Sequence, residues 1–289
     1  MHNNGFRLCL LMVLTLFVGA CAGTLVPPTP AQRPVKVAVV LGAGASKGFA
    51  HIGVLKVLEA QKVPINMVVG TSVGSFVGSL YAYGYDAYDL QKLAMSLDRG
   101  DLYELTIPDK GFLKGERLRD FVNTKVKGSP MEKLKIPFYA VATNIKTGEE
   151  AVFASGNTGM AVQASCAIPG VFQPASFSGK SYVDGGVVNP LAIDIARRYG
   201  ADMVIAVDIT TSIDQTTPSG TMETIMKSID IMYNKISQLT LDKADVVIKP
   251  KVSFVGAADF SKRNEAILEG ERAAQSVMPR INELLGRTR

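Results

Sequence analysis

Apolar positions along the chain fall into short continuous runs that alternate with segments of helical spacing. "VKVAVVL" (35–41) is apolar and β-branched throughout, as a parallel strand buried on both faces requires. "GFAHIGVLKVLEAQ" (48–61) then follows the helical period, "INMVVG" (65–70) is a second strand, and "VGSFVGSLYAYG" (73–84) a second helix. Further on, "FYAVATNI" (138–145) and "AVFAS" (151–155) read as paired strands, "MVIAVDI" (203–209) as another buried strand and "DVVIKPKV" (245–252) as the last. The same periodicity predicts helices near 87–97, 116–126, 158–166, 190–199, 221–241 and 264–285. Strands alternating with helices predict an α/β fold: a three-layer α/β/α sandwich around a mostly parallel central sheet. No internal repeat and no second boundary interrupts residues 35–289, which are expected to form one domain.

The first 34 residues follow neither period. Arg7, the apolar "LCLLMVLTLFVGA" and the small residues Val18-Gly19-Ala20 before Cys21 resemble a bacterial lipoprotein signal, so 1–20 is expected to be a signal peptide. In such signals the cysteine is acylated and becomes the new N-terminus, which would hold the chain stably at a membrane surface. An ordinary secretory signal or an uncleaved anchor is the competing reading. No Asp follows Cys21, which in that logic favours the periplasmic face of the outer membrane. Residues 21–34, rich in Pro, Thr and small residues, read as an extended tether.

Charge and cysteine content remove whole classes of function. Loss of Arg7 with the leader lowers the formal net charge from +5 to +4. The basic residues are scattered, and no basic helix carries interleaved aromatics, so nucleic acid is not an expected partner. With Cys9 in the leader and Cys21 lipidated, Cys166 stands alone, which excludes an internal disulfide and a cysteine metal cluster. Its surroundings, "MAVQASCAIPG", suit a buried small apolar side chain.

The chemistry gathers at strand exits. Gly70-Thr71-Ser72-Val73-Gly74 is a G-x-S-x-G motif between an apolar strand and a helix, the context a nucleophile elbow needs. Gly70 and Gly74 give the backbones room to pass, and Ser72 stands at a helix N-terminus that favours developing negative charge; the plainer reading is a tight turn with Ser72 as an N-cap. Ser46, Ser75 and Ser165 lack that context and read as turn or packing residues.

Three side chains compete as the base. His51 is the one histidine outside the leader, but its neighbours Ala50, Ile52 and Val54 suit a packed position. Asp184 in "YVDGGVVNP" follows a short apolar stretch, and the Gly-Gly after it lets this backbone approach another closely, although Asp-Gly also marks plain turns. Asp208, closing "VIAVDI", could face the same crevice.

The glycine-rich turn, "GTSVG" and "DGG", in that order and with "AHIGVLKVLE" (50–59) and "SCAIPGVFQP" (165–174), resemble the patatin-like phospholipases. The resemblance covers roughly 35–210, with a weaker echo in "EAILEGERAA". It implies a Ser-Asp dyad hydrolase of phospholipids or other acyl esters, with no metal, cofactor or histidine. Carried over, Ser72 is the nucleophile, Asp184 the base, and Gly185 and Gly186 its supporting neighbours.

The family's G-G-G-x-R/K-G oxyanion loop corresponds to Ala43-Gly44-Ala45-Ser46-Lys47-Gly48. Gly44 and Ala45 are the foremost expected donors, within a set of Ala43, Gly44, Ala45, Lys47 and Gly48. A positive φ at either alanine would cost about 1–2 kcal/mol. Lys47 either balances charge or anchors the loop. Gly42-Ala43-Gly44 also approximates a dinucleotide loop, but the next strand ends in Val69-Gly70-Thr71-Ser72 without the acidic residue that reading needs, and Ser46-Lys47-Gly48 inverts the P-loop order. Transfer of the acyl group to another acceptor, and a lipid-binding lipoprotein without catalysis, remain as alternatives; oligomeric state is not legible.

Overall fold

The computed structural model describes residues 35–102, 104–105, 113–210 and 217–287, so the expected signal peptide, tether and Cys21 lie outside the described residues. In chain order the elements begin with β1 (Val37–Leu41), α1 (Phe49–Ala60), β2 (Met67–Thr71), α2 (Val73–Tyr83), α3 (Ala87–Ser96) and the one-turn α4 (Arg99–Leu102). A short pair β3 (Glu104–Leu105) and β4 (Leu113–Lys114) precedes α5 (Glu116–Lys125), β5 (Phe138–Asn144), β6 (Glu150–Phe153) and α6 (Thr158–Ser165). The chain continues through β7 (Ala175–Phe177), β8 (Lys180–Asp184), α7 (Ile193–Arg198), β9 (Met203–Val207), α8 (Thr221–Gln238), β10 (Val246–Ile248) and α9 (Arg263–Leu284).

The main sheet has the order β10-β9-β1-β2-β5-β8-β7, with β6 also pairing β5. From β10 to β5 every pairing is parallel, while β6, β7 and β8 join antiparallel. β1 lies inside the sheet between β9 and β2 and is buried at all five positions. Val37, Val39 and Leu41 face one core with α1, α2, α3 and α9, whereas Ala38 and Val40 face the other with α7. Burial on both faces is why these strands read as unbroken apolar runs. The result is the expected three-layer α/β/α sandwich with a mostly parallel sheet.

Two differences from the sequence reading bear on the site. The hairpin β7–β8 delivers Asp184 to the edge of β5, turning through Ser178 and Gly179 with φ of 51° and 72°. The helix expected from 190 starts at Ile193 instead, because Pro190 is drawn against the glycine-rich turn, where its carbonyl accepts the Ala43 N–H. Among the described residues no helix is long and apolar enough to cross a membrane.

Candidate active site

Sheet register brings the two expected reactive side chains together. Thr71, the last residue of β2, pairs with Val141 of β5, and the next β5 residue, Ala142, pairs with Asp184. Ser72 therefore leaves its strand beside the end of β8. It turns into α2 with φ 54° and ψ −127° and is only 2% exposed. Holding a serine there costs about 1–3 kcal/mol, which the surroundings must supply. They do so through the backbone: the Ser72 N–H donates to Ser165 Oγ at 2.9 Å, and the Ser165 hydroxyl donates to Val141 O at 2.6 Å. Ser75 Oγ donates to the Ser72 carbonyl at 2.7 Å. The elbow also needs its glycines, since a Cβ on Gly74 would fall on the Leu41 carbonyl and one on Gly70 would lie 2.5 Å from Gly74 O.

Asp184 is fully buried. Its Oδ1 accepts the Gly186 N–H at 2.7 Å, and its carbonyl accepts the Thr143 hydroxyl at 3.0 Å. Burial pushes the carboxyl from 3.8 up to about 6; the Ser72 hydroxyl, the Gly186 N–H and the Tyr233 hydroxyl oppose that rise, in this order. A carboxyl with that value is ionised at neutral pH yet basic enough to accept a proton. Gly185 lies against the Val141 carbonyl, and a Cβ on Gly186 would fall inside the Tyr233 ring.

The glycine-rich turn narrows the expected donor set. The Ala43 N–H is taken by Pro190 O at 2.9 Å and the Lys47 N–H by Gly44 O at 3.2 Å, so neither amide is free for an oxyanion. Gly48 closes the turn, and a Cβ there would fall on the Val73 side chain. Among the described residues no partner takes the N–H of Gly44 or Ala45. Ala45 adopts φ 49°, so the alanine penalty expected from the sequence falls on this residue and not on Ala43. Lys47 is an anchor: 3% exposed, its ammonium pairs with Asp230 Oδ2 of α8 at 2.7 Å.

The two competing bases are occupied elsewhere. His51 Nε2 lies 2.9 Å from Gly42 O, and burial lowers its pKa from 6.5 to about 4, so the ring is neutral and Nε2 carries the donated proton. It braces the strand exit from behind. Asp208 Oδ1 accepts both the N–H and the hydroxyl of Thr210, at 2.9 and 2.6 Å, and Oδ2 pairs with Lys249 at 2.9 Å.

Ser72 bounds one wall of an apolar cavity of about 450 Å³. Val73, Phe76, Val77 and Leu80 of α2 form one side, Leu90, Leu93, Ala94 and Leu97 another, and Met222 and Met226 of α8 contribute a third. Cys166 lines the same cavity, with Sγ 3.7 Å from Ser75 Oγ, and burial pushes its thiol above the ordinary range, which keeps it protonated. The sequence does not mark Ser165, Asp230 or Tyr233 for this site. Nothing local marks them, because each meets its partner from a distant element.

Residues 39–197 match the sequence model of the patatin-like phospholipases. Lysophospholipase nte1 of Emericella nidulans is 29% identical over 239 residues, covering 80% of this chain and 16% of that protein. An uncharacterized NTE family protein of Mycobacterium bovis is 35% identical over 191 residues, covering 63% of this chain and 53% of its own. The chain thus spans about a sixth of the fungal relative and about half of the mycobacterial one. Among solved structures, VipD from Legionella pneumophila superposes with a TM-score of 0.56 at 13% identity, over 86% of this chain and 67% of VipD. The type III effector ExoU gives 0.51 at 12% identity, over 86% of this chain and 53% of ExoU. At those identities the likeness is one of fold. Since the matched segment holds the glycine-rich turn, the Ser72 elbow and Asp184 and exceeds half the chain, the chain belongs to the patatin-like phospholipase family.

Proposed function

We propose that this chain is a serine acyl hydrolase that cleaves fatty acyl esters of phospholipids or related lipids, with Ser72 as nucleophile and Asp184 as its base. The observation that carries this reading is the juxtaposition of an almost wholly apolar cavity, a strained serine on its wall and a buried carboxylate beside that serine. The cavity is of the size that encloses small ligands, and its lining suits an alkyl chain rather than a polar group. Family membership supports the same chemistry.

Ser72 Oγ attacks the ester carbonyl carbon while its proton passes to Asp184. Negative charge develops on the carbonyl oxygen, where the N–H groups of Gly44 and Ala45 and the N-terminus of α2 stabilise it. The intermediate collapses, the C–O bond to the alcohol breaks, and Asp184 returns the proton to the departing alkoxide. Water then attacks the acyl-serine, gives a proton to Asp184 and releases the fatty acid; the same proton restores Ser72. Lipidation of Cys21 would keep this cavity within reach of membrane esters.

Fatty-acid release from lysophosphatidylcholine and labelling by a fluorophosphonate probe test the reading. Ser72→Ala is expected to abolish both, and Asp184→Asn to abolish turnover with an unchanged circular dichroism spectrum. Full turnover in either variant would overturn the dyad.

A further inference from the structure

Helix α8 presents one stripe to the site. Met222, Met226, Asp230 and Tyr233 recur at spacings of four, four and three residues, which places them on one face over about 16 Å of helix. The first two line the cavity. Asp230 takes the buried ammonium of Lys47 at 2.7 Å and so fixes the turn that carries Gly44 and Ala45. Tyr233, 3% exposed, lies with its ring on Gly186, two residues beyond Asp184. Its hydroxyl and Asp184 Oδ2 are both buried, and neither has a hydrogen-bond partner among the described residues. We propose that Asp230 and Tyr233 are positioning residues through which α8 sets the base and the oxyanion turn at their working separation, Tyr233 steadying Asp184 and Asp230 steadying Lys47.

This inference rests on the Ser72–Asp184 reading. The chemistry follows from what each atom lacks. Asp184 Oδ1 already has the Gly186 N–H, so Oδ2 is the oxygen left to receive the serine proton. A phenol turned onto this unpartnered Oδ2 would hold the carboxylate in one rotamer and stabilise its anion. The influence runs both ways: Tyr233 lowers Asp184, while burial and then the Asp184 charge push the phenol well above its ordinary range. The titratable and polar groups facing Asp184 are Ser72 at the head of α2, Cys166 after α6 and Tyr233 on α8, with Asp230 and its partner Lys47 beyond the tyrosine. Lys47 belongs to the glycine-rich turn. Its charge is matched by Asp230, so removing either leaves the other without its partner and the turn without its tether.

The test uses the full chain, with 4-nitrophenyl octanoate as substrate, kcat and KM measured from pH 5 to 9, and fluorophosphonate labelling alongside. Tyr233→Phe is expected to lower kcat about tenfold with KM within twofold and to move the acid limb of kcat/KM to higher pH, because the anion loses a donor. Incorporating 3-fluorotyrosine at 233 keeps the shape and strengthens the donor, and moves the limb to lower pH; this arm decides the matter if Tyr233→Phe does not fold. Asp230→Asn and Lys47→Met should each lower kcat about tenfold, the double variant should be no worse than either, and Asp230→Glu should restore most of the loss. An acid limb that stays in place in both Tyr233 variants overturns the role of the tyrosine. Additive losses at Lys47 and Asp230, or none, overturn the tether. Ser72→Ala measured in parallel separates these failures from failure of the dyad, which would show as turnover persisting without the serine.

Discussion

Ser165 holds Ser72 by its backbone: the Ser72 N–H donates to Ser165 Oγ at 2.9 Å, and the same hydroxyl donates to Val141 O at 2.6 Å. One fully buried hydroxyl thereby ties the elbow to β5, the strand that separates β2 from β8. Ser165→Ala would leave the Ser72 N–H and the Val141 carbonyl without this partner. A buried group left unsatisfied costs about 1–3 kcal/mol. Urea unfolding should show a loss of about 2 kcal/mol, and fluorophosphonate labelling of Ser72 should slow as the elbow loosens. Unchanged stability would mean that water or backbone relaxation replaces the bond.

The buried Asp184 carboxyl links activity and stability to pH. Its value rises from 3.8 to about 6 on folding, so the folded chain holds this proton more tightly than the unfolded chain. Stability therefore falls as pH rises from 3.8 to about 6, and above that the cost of the buried charge, about 3 kcal/mol, is fully present. His51 acts in the opposite sense: lowered from 6.5 to about 4, it contributes stability present above 6.5 and lost as pH falls toward 4. The comparison must therefore be made between variant and parent at each pH. Asp184→Asn should be more stable than the parent at pH 8, by up to about 3 kcal/mol, and the gain should vanish near pH 4. Parent kcat/KM should fall as pH drops through about 6, as the base becomes protonated.

Ala45 occupies the left-handed region at φ 49°, where a side chain costs about 1–2 kcal/mol. Glycine removes that strain but loses more freedom on folding, about 0.5–1 kcal/mol. Ala45→Gly should thus raise stability by about 0.5–1 kcal/mol, read as a rise of a few degrees in Tm. Ala43→Gly, at a position without positive φ, should lower it; the opposite pairing would show that the turn is set by packing and not by backbone preference.

What the sequence made legible divides by range. β1, β2 and β9 announce themselves because they are buried on both faces, and Ser72 and Asp184 because an elbow and an Asp-Gly-Gly turn need small neighbours close by in the chain. The β7–β8 hairpin carries its turn in Ser178-Gly179, but its strands are short and partly exposed, so their apolar signal is faint. Asp230 lies 183 residues from Lys47, and periodicity can place it on a helix without saying which charge it meets. Lys47 accordingly has two open roles in the sequence and one in the structure.

The cavity sets a limit on the acyl chain. Ser72, Val73, Phe76, Val77 and Leu80 line it along α2, a rise of about 12 Å for eight residues. A saturated chain advances about 1.3 Å per carbon, given a C–C bond of about 1.5 Å, so a chain following α2 as far as Leu80 buries about nine carbons. Ala94 lines the same cavity from α3 and is 4% exposed, so a phenylalanine there extends into space the chain would use. Displacing four methylenes forfeits about 3 kcal/mol at about 0.8 kcal/mol each. That corresponds to about a hundredfold in kcat/KM. Ala94→Phe should therefore cut kcat/KM for 4-nitrophenyl decanoate about a hundredfold while leaving 4-nitrophenyl butyrate within about threefold. Equal losses on both esters would point to a distorted elbow instead, and no loss on either would move the acyl chain out of this cavity.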